Sequence, residues 1–369
     1  MVRERRRRPL AGAVVVAVAA VVALTVLAVN GADGPSERPE PERLPADPAS
    51  APAPTAPPAP SDDGPVAGRS ALVTVAVANV WEEPGLARPV DEPSVTNPVD
   101  IRRWVASMSH EDKLWLVDHV VTQALYGERV SVQQVRDGWA RVVVTGQPSH
   151  LDPNGYPGWV PAVQLRAAEP PATALSAVVT RPTAPLRAAG DASRPLLDLS
   201  YNTRLPVLDA GATQVTVALP TGGRGVVAAA DVDVRPPGPR AVTGADLVRH
   251  AQLFAGLPYL WAGTSAAGFD CSGFTAAVYG VHGIVLPRDA DDQAGVGTAV
   301  DRARLQPGDL LFFSTGPDQR SIYHVSMYVG NGMMIQSPAT GKTVETVPID
   351  TPQYARQFWG ARRYLPPGA

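Results

Sequence analysis

A chain of 369 residues with 45% apolar side chains has the length of two or three domains and enough apolar content to give each a core. Its net charge of −3 excludes a general electrostatic attraction to nucleic acid. The single cysteine, Cys271, excludes an intramolecular disulfide, so packing alone must hold the protein together if it is exported.

The N-terminus argues for export. Arg3 and the run Arg5, Arg6, Arg7, Arg8 precede an almost uninterrupted apolar stretch over residues 10–29, the pattern of a signal peptide or signal anchor over residues 1–31. About twenty such residues span a bilayer, so an uncleaved segment would tether the chain to a membrane. Residues 32–69 are rich in Pro, Ala and acidic side chains, bury too little to fold, and read as an extended, disordered linker.

Residues 70–168 read as a small β-barrel with an inserted helical piece. LVTVAVANVW, RVSVQQV and WARVVVTG alternate as strands, the last two around the turn Asp137-Gly138, and GYPGWVPAVQL closes the set. DIRRWVASM and HEDKLWLVDHVVTQAL carry helical spacing, with Ser109 as a cap. His110, His119 and His150 lack ligand spacing and read as surface or helix residues, so no metal is expected. Residues 169–238 hold a second set of short strands with turns at Gly190-Asp191, Gly211 and Gly222-Gly223, a second small barrel without a cluster that suggests chemistry.

Residues 239–369 form the domain with chemistry. A helix capped by Thr243 with Asp246 three residues on precedes a second helix that begins at Cys271. At a helix start, free N–H groups and the positive dipole end favour a thiolate, the nucleophilic form. Consecutive antiparallel strands follow, so the class is α+β. A thiol needs a base, and of His250, His282 and His324 the last opens the strand HVSMYV, where His324, Ser326 and Tyr328 share a polar face opposite Val325, Met327 and Val329. A helix packed beside that polar row would place Cys271 at His324. Gln336 can orient the imidazole only if the hairpin has a three-residue Gly330-Asn331-Gly332 loop, which sets Gln336 opposite Ser326 and diagonal to His324. A two-residue turn would point it to the wrong face.

Five motifs in order, PYLWAG (258–263), FDCSGF (269–274), LPRDADDQ (286–293), QPGDLLFF (306–313) and HVSMYVGNGMMIQS (324–337), resemble the NlpC family of papain-like bacterial cell-wall peptidases. The resemblance implies a papain-like α+β catalytic domain preceded by two bacterial SH3-like barrels. It also implies Cys271 as nucleophile, His324 as base, Gln336 in the third polar position, where the family usually has His, and Tyr259 facing the substrate carbonyl near the oxyanion. Ala262 stands where the family commonly has Gly. The two barrels and the RDA motif are similar to the YkfC-type enzymes, which cleave the γ-D-glutamyl to L-diamino acid bond of muropeptides with a free N-terminal L-alanine. In that group an acid of the RDA motif, here Asp289, joins an acid and a tyrosine of the first barrel around the terminal ammonium, and those roles carry to Glu128 and Tyr156. Asp270 and Ser272 are further candidates for peptide contacts, and Arg288 for the free carboxylate of D-glutamate or a structural ion pair.

The expected protein is an exported, monomeric cysteine peptidase that needs no cofactor and acts on peptidoglycan stem peptides or muropeptides. An endopeptidase on intact wall, an inactive wall-binding protein and a papain-like amidase or acyltransferase remain as alternatives.

Overall fold

The computed structural model describes residues 63–365; the expected signal or anchor segment and most of the linker lie outside them. Among the described residues no helix is long and apolar enough to cross a membrane.

The first barrel is a seven-stranded antiparallel sheet made of β1 (Ser70–Val73), β2 (Val77–Trp81), β3 (Val120–Leu125), β4 (Arg129–Arg136), β5 (Trp139–Val144), β6 (Tyr156–Pro161) and β7 (Leu165–Arg166), ordered β3-β2-β6-β5-β4-β1-β7. The β4–β5 hairpin turns at Asp137-Gly138, both at positive φ, as that dipeptide favours. Between β2 and β3 lie three short helices, α1 (Glu92–Val95), α2 (Ile101–Ser107) and α3 (His110–Trp115). Ser109 caps α3 in a reciprocal capping box with Asp112. The helical spacing read for HEDKLWLVDHVVTQAL holds only to Trp115. VVTQAL is instead β3, because pairing with β2 buries Val120, Thr122 and Ala124. Short-range periodicity cannot weigh that tertiary gain.

The second barrel repeats the plan with β8 (Ser176–Val179), β9 (Thr183–Ala188), β10 (Asp191–Ser200), β11 (Arg204–Ala210), β12 (Gln214–Ala218), β13 (Arg224–Ala228) and β14 (Val232–Arg235). His250 and His282 belong to its seam with the third domain, where His250 meets the Tyr201 hydroxyl at 2.9 Å and His282 accepts from Arg240 at 3.1 Å.

The third domain opens with α4 (Gly244–Gln252), capped by Thr243 and Asp246 as its sequence predicts. The short pair β15 (Thr264–Ser265) and β16 (Gly268–Phe269) leads into α5 (Cys271–Gly280), and α6 (Ala290–Ala294) turns the LPRDADDQ stretch. Next come β17 (Thr298–Val300), β18 (Leu310–Ser314), β19 (Ile322–Gly330), β20 (Met333–Gln336), β21 (Glu345–Pro348), α7 (Pro352–Gln357) and β22 (Phe358–Arg363). The sheet order is β17-β22-β18-β19-β20-β21. Central β18 is buried on both faces. Phe274, Ala277 and Val278 of α5 share one core with Val325, Met327 and Ile335, while Leu311, Phe313 and Met334 form a second core on the opposite face. The α5 helix therefore sits on the apolar row of β19 and not beside the polar row of His324, since burying apolar surface on both sides decides the packing.

Candidate active site

Cys271 is the first residue of α5 and is half-buried. Asp270 is the N-cap, its carboxylate accepting the Gly273 N–H at 2.6 Å. A Cβ at Gly273 would lie 2.1 Å from the Gly263 carbonyl oxygen, so only glycine lets α5 close on the loop that carries Tyr259. In that loop Ala262 takes φ 61°, a left-handed turn that glycine adopts freely and alanine does not.

Asp270, Ser272 and Arg288 are drawn together at the start of α5, beside Cys271. Buried Arg288 reaches Asp270 at 2.5 and 3.2 Å, Ser272 Oγ at 3.0 Å and Thr122 of the first barrel at 2.8 Å. Its backbone N–H donates to Pro148 O, also in the first barrel, at 2.9 Å. Ser272 Oγ itself donates to Asp270 at 3.3 Å. These polar groups are therefore engaged with one another in a seam that ties the helix start to the first barrel. Of the two readings of Arg288, the geometry is that of the ion pair. Buried Gln293 completes the brace by donating to Ser272 O at 3.1 Å and Pro287 O at 2.9 Å and accepting from Thr275 at 2.9 Å.

The thiol does not rest as a thiolate. Burial, then the neighbouring Asp270 carboxylate, push Cys271 up to about 12 against the opposing Val325 N–H, Arg288 and Ser272 N–H. The helix-start effect acts in the expected direction but is smaller than desolvation. The Val325 contact brings the sulfur to β19 at the residue next to His324.

His324 is buried and stacks at 6.1 Å on Tyr354 and at 5.8 Å on Phe313. Burial pulls it down to about 4, opposed by its bond to Gln336. His324 Nε2 lies 2.7 Å from Gln336 Oε1. The register that permits this contact arises by an unforeseen route. A two-residue turn at Asn331-Gly332 pairs Gly330 with Met333, and a bulge between Tyr328 and Gly330 shifts the pairing to Tyr328↔Met334 and Met327↔Ile335. The bulge adds one residue, so Gln336 falls opposite Ser326 as in the three-residue reading. Gln336 Nε2 in turn donates to Glu345 Oε1 at 3.0 Å. The sequence reading missed Glu345. Its pairing with Gln336 is set by the register of β20 against β21, and only the polar TVETVPI strand hinted at it.

Tyr259 is buried beside Cys271 and Asp270, and burial followed by those two neighbours raises its phenol so that it stays protonated, a hydrogen-bond donor.

The first barrel forms a wall. Tyr156 donates to Asp289 Oδ2 at 3.1 Å, bringing together two of the three groups expected around an ammonium. Burial raises the Asp289 carboxyl, with Arg288 opposing. Glu128 does not make its contacts there. It accepts from Leu125 N–H at 2.9 Å and Gln147 Nε2 at 3.3 Å and lines a separate cavity of about 270 Å³ with Arg204 and α5. The tight turn into β4 aims its side chain back at its own barrel. On the Tyr259 side, Trp261 donates to Val120 O at 2.9 Å and His110 abuts Gly341. His150 does not stand free, because Asp292 meets its Nδ1 at 2.9 Å and Arg320 reaches Asp291 and Asp292 at 2.6 Å each. His150, Asp291 and Asp292 are the group of side chains, among the described residues, whose donor atoms converge as metal ligands would, and the Arg320 guanidinium already lies between them.

Residues 256–363 match the NlpC/P60 family, and residues 179–234 match the YKFC SH3b2 domain. The chain is 42% identical over 308 residues to a γ-D-glutamyl-L-lysine dipeptidyl-peptidase of Bacillus cereus, covering 80% of this chain and 91% of the relative. It is 37% identical over 294 residues to the protein of the same name from Bacillus subtilis, covering 79% of this chain and 97% of the relative. The crystal structure of an NlpC/P60 family protein from Bacillus cereus superposes with a TM-score of 0.77 at 41% identity, over 80% of this chain and 100% of that one.

Proposed function

This chain belongs to the NlpC/P60 family, and we propose on that premise that it is a cysteine peptidase cleaving the γ-D-glutamyl to L-diamino acid bond of peptidoglycan-derived peptides with a free N-terminal L-alanine. The relatives of similar length carry the name of that activity toward L-lysine. The observation that carries the reading is the contact of Tyr156 with Asp289 across the domain seam. A half-buried carboxyl whose charge is disfavoured is a site that a substrate ammonium would complete, and Tyr156 sets a side chain of the first barrel against it.

In this reading the reaction starts from a neutral pair. As the sulfur of Cys271 attacks the γ-glutamyl carbonyl, His324 takes its proton through Nδ1, the ring nitrogen not engaged by Gln336. The Tyr259 hydroxyl and the N–H groups at the start of α5 supply donors for the developing oxyanion. Expulsion of the diamino acid amine, protonated by His324, leaves a thioester that water hydrolyses. Asp270, Ser272 and Arg288 hold the helix start in place behind this chemistry. The contacts of the first barrel with Arg288 and Asp289 argue against an endopeptidase on intact strands. The basic and then apolar N-terminus supports work outside the cytoplasmic membrane, either released or anchored.

The test offers the purified protein L-Ala-γ-D-Glu-L-Lys and its N-acetyl derivative. Cleavage of the free peptide alone is expected, with Cys271→Ala inactive on both. Equal rates on the two peptides would overturn the ammonium pocket, and turnover by Cys271→Ala would overturn the nucleophile.

A further inference from the structure

Behind the third polar position of the site stands a carboxylate that the reaction scheme does not use. Gln336 is fully buried and lies between two partners, with its Oε1 2.7 Å from His324 Nε2 and its Nε2 3.0 Å from Glu345 Oε1. The second contact is not a matter of chance side-chain reach, because Gln336 and Glu345 are direct cross-strand partners in the β20–β21 ladder. Glu345 itself is half-buried at the sheet edge.

We propose that Glu345 is a positioning residue that selects the histidine tautomer competent to act as base. An amide can present either its oxygen or its NH2 to a neighbour, and the two orientations differ by a half-turn of the side chain. A carboxylate accepts hydrogen bonds and donates none, so Glu345 can be satisfied only by the NH2 of Gln336. That leaves the amide oxygen facing His324, which must then donate from Nε2. The proton therefore resides on Nε2, and the lone pair on Nδ1, the nitrogen left for the thiol. Without Glu345 the amide can turn over, offer its NH2 to Nε2 and hold the ring in the other tautomer, with the proton on Nδ1 and no lone pair there to receive the cysteine proton. A histidine in this position would set its own orientation by tautomerising. A glutamine cannot, and the adjoining acid supplies what it lacks. When His324 becomes an imidazolium, the same chain Glu345–Gln336–His324 also places a negative charge behind it, a role that glutamine alone cannot fill.

The inference rests on His324 as base, and its test includes a readout that needs no substrate. Nitrogen NMR of protein labelled at histidine reports which ring nitrogen of His324 bears the proton at neutral pH. The wild type is expected to show Nε2–H, and Glu345→Ala a mixture or the Nδ1–H form. In activity on L-Ala-γ-D-Glu-L-Lys, Glu345→Ala should lower kcat by about tenfold to a hundredfold, the bias that one hydrogen bond to a charged group can impose, with KM nearly unchanged. Glu345→Gln, which keeps an acceptor at the same place, should recover part of that loss. In a Gln336→Ala background, removal of Glu345 should cost nothing further, because its effect passes through Gln336. An unchanged tautomer in Glu345→Ala, a loss confined to KM or to thermal stability, or additive losses in the double variant would each overturn the proposal. A wild type that shows Nε2–H but cleaves neither peptide would leave the tautomer assignment standing and refute the substrate instead.

Discussion

Replacing Arg288 by methionine removes the cation that joins α5 to the first barrel. Arg288 is 3% exposed, and its guanidinium contacts Asp270 at 2.5 and 3.2 Å, Ser272 at 3.0 Å and Thr122 at 2.8 Å. At about 3 Å and an effective dielectric of about 20 the attraction to Asp270 is on the order of 5 kcal/mol, most of it offset by the cost of taking both charges out of water. The observable quantity is thus the cost of leaving Asp270 buried without its partner, about 3–5 kcal/mol. For a chain of this size, that corresponds to a fall in Tm of roughly 10 °C. Arg288→Lys keeps the charge but cannot reach all three partners at once, and should lose about 2 kcal/mol. The double variant Asp270→Asn, Arg288→Met removes the stranded charge and retains an acceptor for the Gly273 N–H, so it should be more stable than Arg288→Met alone. Denaturant unfolding followed by circular dichroism measures these three and the single Asp270→Asn. A single Arg288→Met variant within about 0.5 kcal/mol of wild type would refute the account of the seam, as would a double variant whose loss is the sum of the two singles.

Asp289→Asn should cut kcat/KM on the free-amine peptide roughly a hundredfold, the equivalent of about 2.7 kcal/mol, and leave any residual turnover of the N-acetyl peptide unchanged. Chromatography of the released dipeptide decides this, and equal falls on both substrates would sink the ammonium role. With the thiol pushed up to about 12 and His324 pulled down to about 4, alkylation of Cys271 by iodoacetamide should rise about tenfold per pH unit from pH 6 to 9. A plateau reached near pH 6 would instead mark a resting thiolate and imidazolium pair. Acid stability follows from His324 at about 4 and His282 at about 3, both below the ordinary histidine value of 6.5. Above pH 6.5 neither state binds the proton and this contribution to stability is complete. Below it only the unfolded chain protonates, so the contribution is lost down to the folded values. At about 1.4 kcal/mol per pH unit, each histidine costs about 2 kcal/mol on going from pH 7 to pH 5. The raised carboxyls of Glu128 and Asp289 act in the opposite sense, so the comparison is between wild type and His282→Asn, whose unfolding free energy should fall less by that amount. Equal slopes would refute it.

The helix α5 was legible because its signals are local. Asp270 caps, the spacing of Phe274, Ala277 and Val278 marks the buried side, and Thr243 with Asp246 opens the helix before it. The link from His324 to Gln336 was legible only as a condition on register, since the Gly-Asn-Gly tip admits two loop lengths and the bulge that decides between them depends on how β20 packs. What escaped are choices made by tertiary contact. VVTQAL became a strand because β2 was there to pair with it, and α5 chose the apolar face of β19. Glu128 turned toward Leu125 and Gln147. Glu345 could not be singled out from sequence, because its meaning depends on which residue faces it across two strands.

Hairpin tips are usually where a chain tolerates changes in length. The tip between β19 and β20 is different, because its bulge sets the phase of everything downstream on that strand. The same sequence paired without the bulge would keep the two-residue turn, yet set Gln336 opposite Met327, rotate it to the far face and present a neighbouring side chain to His324. Such a chain would fold, keep its cysteine and its histidine, and fail at the base. The pairing register at this tip, and not the identity of the third residue alone, therefore decides whether Gln336 reaches His324.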